Sequence, residues 1–273
     1  MDPVDFRRSQ RTEIVQLLRT GRMAYALTLG EAFVGNLQEL FPFLDQDTLR
    51  YLAVAEAAAE QGAFDEALAC LRIGLERHRS SGPAPRGMLE LSRKIAVILV
   101  AAGRAHEGLA LLQEIATLSE FELGPSDLQH GLIINSLGTA LRHTGDLRSA
   151  YRYFRQAAET FEATMGVDSD HFATALLNLS DLSSAVGRPS AGIPAARRAK
   201  AIWQRTPPAS RLTLVAAEAN LGRLLYEVEE SAEAAQCFER AADMLAAELG
   251  DDHPEVVIHR LNQAIAAADA AEH

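Results

Sequence analysis

Aromatic residues are scarce in this chain, at 6% of 273 positions, and there are only two cysteines. A core poor in aromatics disfavours packed sheets, which draw on aromatic and β-branched side chains. Two cysteines exclude a disulfide framework. Cys70 and Cys237 fall at the same place in a repeat described below, four repeats apart. They are expected to be buried or half-buried free thiols, which suits a reducing compartment. Positive charge is also short: 26 Lys and Arg face 37 Asp and Glu, a net charge of -11. Such a balance repels phosphate backbones and anionic bilayers, so neither nucleic acid nor membrane is expected as a partner. The longest apolar run, Ile95 to Ala102, is too short to span a bilayer. Met1 to Arg8 has no apolar segment able to act as a signal peptide, and the expected location is cytoplasmic.

Catalytic signatures are missing too. There is no phosphate-cradling glycine loop, no nucleophile elbow and no paired-histidine or paired-cysteine metal motif. His171 and His253 sit in the acidic stretches Asp168-Ser169-Asp170-His171 and Asp251-Asp252-His253. These read as helix-capping loops, since no ligand spacing suits a metal geometry. The expectation is a protein that is not an enzyme and needs no cofactor or metal. Fold alone never excludes chemistry, so an enzyme built on a repeat scaffold stays as the weakest alternative.

What is present is a repeat. Asn135-Ser136-Leu137-Gly138 is answered 42 residues on by Leu177-Asn178-Leu179-Ser180, and again by Ala219-Asn220-Leu221-Gly222. Stepping back gives Arg93-Lys94-Ile95-Ala96 and then Leu52-Ala53-Val54-Ala55. A turn follows each segment, at Gly21, Gly62, Gly103, Gly145 and Gly187, with Glu229 in the sixth unit. Next comes a small residue (Ala26, Ala67, Gly108, Ala150, Gly192, Ala234), and four residues later a bulky one in Leu71, Leu112, Phe154 and Phe238. Small residues let two helices approach, and the bulky ones fill the seam between them.

In Leu137, Gly138, Leu141, Gly145, Asp146, Ala150, Phe154 and Ala157 the fourth unit resembles the tetratricopeptide repeat. The sixth does so through Leu221, Gly222, Leu225, Ala234, Phe238 and Ala241. The 42-residue period is similar to the kinesin-light-chain subtype. The resemblance implies an all-α, right-handed superhelical solenoid of six helix–turn–helix repeats plus a C-terminal capping helix, in a single domain over 1–273. The repeats are expected near 9–41, 46–80, 87–119, 129–164, 171–205 and 212–248, with the cap at 254–271. Pro42, Pro83, Pro85, Pro125, Pro207, Pro208 and Pro254 mark joints. Two units depart from the pattern. Gly30 stands where a bulky residue belongs, and Pro194 lies inside the second helix of the fifth repeat, where a proline costs about 3 kcal/mol in a regular helix. That helix is expected to start late, to kink or to be loose.

One position before the core leucine position, held by Ile95, Leu137, Leu179, Leu221 and, on the last helix, Gln263, stand Lys94, Ser136, Asn178, Asn220 and Asn262. The resemblance implies that this face lines a groove in which asparagines hold the backbone of an extended peptide. An amide donates and accepts at once, so it reads backbone without demanding sequence; it can equally brace a neighbouring helix. The site residues expected on this face are Arg93, Lys94, Asn135, Arg142, Asn178, Asp181, Asn220, Arg223, Tyr226 and Asn262. Arg93, Lys94, Arg142 and Arg223 would suit a carboxylate ligand, while Glu56 and Glu60 make the second repeat acidic. The set for a chaperone-type carboxylate clamp is incomplete. A basic run, Arg188, Arg197, Arg198, Lys200 and Arg205, lies in the fifth repeat.

The function expected is a peptide- or protein-binding scaffold or adaptor. A ligand-responsive regulatory sensor is one alternative. The other is a self-assembling module in which Val34, Leu37, Leu40, Phe41 and Phe43 of the first repeat meet another subunit.

Overall fold

The structure, a computed structural model, describes residues 3–81, 84–205 and 211–272. Among these there are thirteen α-helices and no strand. Six helix–turn–helix pairs come first: α1 (Pro3–Arg19) with α2 (Met23–Leu40), α3 (Gln46–Glu60) with α4 (Phe64–Ser80), and α5 (Pro85–Ala101) with α6 (Ala105–Leu123). Then come α7 (Leu128–Thr144) with α8 (Leu147–Met165), α9 (Asp170–Ser183) with α10 (Pro189–Arg205), and α11 (Arg211–Glu227) with α12 (Ser231–Leu249). A final helix, α13 (Pro254–Glu272), packs on α12. The fold is an all-α helical-repeat solenoid. Contacts group the chain into two compact units, residues 1–125 with 139–144, and 126–138 with 145–273.

In the first unit the seam positions Ala26, Ala67, Leu71 and Leu112 are fully buried. Gly30, the departure in the first repeat, has a reason: a β-carbon there would meet Cγ2 of Val54 at 2.5 Å. The bulk that α2 lacks is supplied by α3. Val34 and Leu37 are buried, and Phe41 and Phe43 pack against the same core, leaving Leu40 alone of the five residues considered for self-association as an exposed side chain. That apolar set is therefore spent inside the unit.

In the second unit Ala150, Phe154, Ala196 and Ala234 are fully buried. Pro194 does not delay its helix, which begins five residues earlier at Pro189 and runs on through it. Pro194 removes the bond to the Ser190 carbonyl, and both residues are exposed, so water can take the orphaned acceptor. Gly192, beside it, is where α10 comes close to α9: a β-carbon would sit 2.1 Å from Ser183 Oγ. Trp203 is buried and its indole donates to Asp170 Oδ1 at 2.6 Å, tying α10 to the first turn of α9.

Helix ends follow local rules. Asp45, Asp146 and Ser169 accept backbone N–H groups as N-caps of α3, α8 and α9, and Pro85 is preset for a first turn. The turn at Glu229 adopts φ 66°, matching the positive φ of its glycine counterparts. Pro83, Pro207 and Pro208 lie outside the described residues.

Candidate functional site

The ladder positions divide into two kinds. In the first unit Lys94 reaches back to Glu56 on the preceding first helix and lies over the Phe41 ring, 5.5 Å from its centroid. Arg93 binds the buried Glu90 one turn away. In the second unit the Ser136 hydroxyl donates to Leu132 O within its own helix, and Asn178 Nδ2 donates to Asn135 Oδ1 at 3.5 Å. These groups are engaged by the fold.

Asn220 and Asn262 differ. Both are half-buried, and among the described residues neither side-chain amide has a hydrogen-bond partner. They line one cleft of about 410 Å³ in the second unit. Its apolar walls are Ala219, Phe238 and Ile265, and Arg223, Tyr226 and His259 complete it. Phe238 belongs to the seam of α12, so packing fixes the wall. His259 lies one helical turn before Asn262 and shares its face. Its buried Nδ1 has no hydrogen-bond partner. Burial pushes the His259 pKa below its ordinary value, against an upward pull from Glu255.

The remaining polar groups at the cleft are partly committed. Tyr226 donates its hydroxyl to Asp269 Oδ2 at 2.6 Å, a bond that raises the phenol pKa. Arg223 donates to Ser184 Oγ at 2.7 Å, Glu227 Oε1 at 2.8 Å and the Asp181 carbonyl at 3.1 Å. One guanidinium thus serves Asp181 and Glu227. On α13, Ile258 and Leu261 stand 54% and 59% exposed beside this cleft face.

Of the residues expected from sequence, Asn220, Arg223, Tyr226 and Asn262 are brought together here. Asp181 joins through Arg223, and Asn178 with Asn135 forms a separate pair. Arg142 is half-buried near the end of α7. His259 and Ile265 were not singled out from sequence, although both lie within a turn of Asn262. Arg93, Lys94 and Arg223, read from sequence as carboxylate receptors, each already hold a carboxylate of this chain.

The other chemistry-bearing residues serve the fold. Arg197, Arg198, Lys200 and Arg205 pair with Glu233, Glu162, Glu218 and Asp168. The ring of His171 stands edge-on to Phe161 at 5.5 Å, and His253 Nδ1 accepts from the Glu255 N–H. No helix among the described residues is long and apolar enough to cross a membrane.

The tetratricopeptide-repeat family pattern matches residues 87–163 and 219–255. Solved structures share the fold. BtubC (BKLC) from P. vanneervenii is 21% identical over 93% of this chain and 95% of that one, with a TM-score of 0.67. The nearly identical TPR-like repeats assigned to a Podosopora anserina kinesin light chain are 16% identical, over 73% of this chain and 95% of that one, at 0.60. The STAND protein with a tetratricopeptide repeat sensor from Pyrococcus horikoshii is 14% identical over 98% of this chain and 40% of that one, at 0.61. No curated protein matches the chain.

Proposed function

Because the chain is a tetratricopeptide-repeat protein, we propose that it is a non-catalytic adaptor that holds an extended segment of a partner protein against the ladder face of its repeats. One observation carries this reading: Asn220 and Asn262 direct unengaged amides to a single cleft with apolar walls. An extended chain offers an N–H and a carbonyl at every residue, and each amide meets one of each. The apolar walls lower the local dielectric and strengthen those bonds. Arg223 and Tyr226 shape the rim. Within the second unit Asn178, Asn135 and Asp181 continue the face, and within the first unit Arg93, Lys94 and Arg142 set the charge of its own ladder positions.

The test is a pull-down and peptide-array screen with the whole chain and its Asn220→Ala/Asn262→Ala variant. Losing two hydrogen bonds of about 1 kcal/mol each weakens binding roughly ten- to thirty-fold. Asn178→Ala serves as the comparison, because its amide is engaged with Asn135. Undiminished binding by a double variant with an unchanged melting curve would defeat the groove reading.

A further inference from the structure

We propose that the cleft between Asn220 and Asn262 takes a tyrosine side chain, and that the partner segment around it is basic. This deepens the adaptor reading and rests on it.

Size comes first. A cleft of about 410 Å³ sits at the lower end of the range of about 300–1,000 Å³ for sites that enclose a small molecule. It holds one large side chain, not a folded element. Phe238 and Ile265 present apolar surface to it, which an aromatic ring fills with much buried area and few frozen torsions.

The polar requirement narrows the choice. His259 lines the cleft, and neither of its ring nitrogens has a hydrogen-bond partner among the described residues, so its imidazole can still bond a polar group that enters. A neutral imidazole presents an N–H at one nitrogen and a lone pair at the other, and the tautomer decides which. A tyrosine hydroxyl answers both, because it donates and accepts. An indole N–H only donates, and a phenylalanine ring does neither.

Charge sets the flanks. Around the cleft stand the carboxylates of Asp181, Glu227 and Asp269, with the guanidinium of Arg223 shared between the first two. Among the described residues Asp269 is bonded only by the neutral hydroxyl of Tyr226, which satisfies it without cancelling its charge. The rim is therefore net negative on a chain of net charge -11, and it complements lysine or arginine beside the tyrosine. Ile258 and Leu261, exposed on the same helix face as Ile265, offer apolar surface to the methylene stems of such residues.

The experiment uses the whole chain and fluorescein-labelled alanine-based peptides, with Tyr, Phe or Ala at the centre and Lys or Glu on both sides. Fluorescence anisotropy should rank the Lys-flanked Tyr peptide tightest. Tyr to Phe should weaken it by roughly three- to ten-fold. Lys to Glu should weaken it further, by a margin that shrinks as salt is raised. His259→Phe should abolish the Tyr-over-Phe preference while the Phe peptide still binds. Equal binding of Tyr and Phe peptides, or preference for Glu flanks, overturns the inference. If peptides bind and lose affinity with Asn220→Ala/Asn262→Ala but show no such preference, the adaptor reading survives and this inference falls. If no peptide binds, both fall.

Discussion

Gly138 and Phe154 fit each other so closely that a β-carbon on the glycine would lie 2.8 Å from Cδ1 and Cε1 of the ring. Two repeats later Gly222 and Phe238 make the same contact at 3.1 and 3.0 Å to those atoms. Phe154 is fully buried, whereas Phe238 keeps 6% exposure and borders the open cleft. A ring with nowhere to go must absorb the added methyl as strain. Gly138→Ala should therefore destabilise by about 1–3 kcal/mol, and Gly222→Ala by less. Urea unfolding of both variants checks the order; equal losses, or none at Gly138, would contradict it.

Glu229 holds a left-handed turn that five other repeats give to glycine. A side chain in that conformation costs about 1–2 kcal/mol, and glycine returns part of this as chain entropy in the unfolded state. Glu229→Gly should raise stability by up to about 1 kcal/mol and shift the melting temperature upward. A downward shift in a calorimetric scan would show that the turn bears no strain.

That turn is legible in the sequence, because the period places Glu229 at a glycine position. The seam was readable for the same reason: Ala150, Phe154, Ala234 and Phe238 repeat at fixed spacing and are buried. Pro194 was harder. Its cost depends on whether the lost acceptor faces water, and only the exposure of Ser190 and Pro194 decides that. The ladder was legible as a row of positions but not as two kinds of rung. Lys94 is engaged by Glu56, 38 residues away, and Asn178 by Asn135, 43 residues away. Partners on the preceding first helix leave no local signature. His259 was invisible for a related reason, since its role needs α11, α12 and α13 around one cleft.

Glu218 is 4% exposed at its side chain and accepts two bonds from Arg240, at 3.0 and 2.9 Å, while Lys200 approaches to 3.3 Å. Arg197 and Glu233 form an equally short pair, but both are more than 40% exposed. Removing one partner of a buried pair leaves a charge without its partner and costs about 3–5 kcal/mol, whereas an exposed pair is worth about 0–1 kcal/mol. Lys200 remains to soften the loss, so Arg240→Ala should cost about 2–3 kcal/mol and Arg197→Ala under 1. Thermal melts of the two variants separate these cases, and similar shifts would mean that Glu218 gains enough water to stand alone.

Both thiols should be inert while the chain is folded. Burial, with Glu66 nearby, pushes Cys70 to about 12; burial and Glu218 push Cys237 to about 11, with Arg240 and Lys200 pulling the other way. The thiolate is the reactive form. At pH 8 its share is therefore about one part in a thousand at Cys237 and one in ten thousand at Cys70, against roughly a quarter for a free thiol with a pKa near 8.5. Labelling with a chromogenic disulfide should be slow in buffer and release two equivalents promptly in urea. As pH rises the two sites should separate: Cys70→Ser, which keeps Cys237, should label faster than Cys237→Ser. The opposite order, or full labelling of the folded chain at pH 8, would show that these sites open to solvent far more readily than their burial allows.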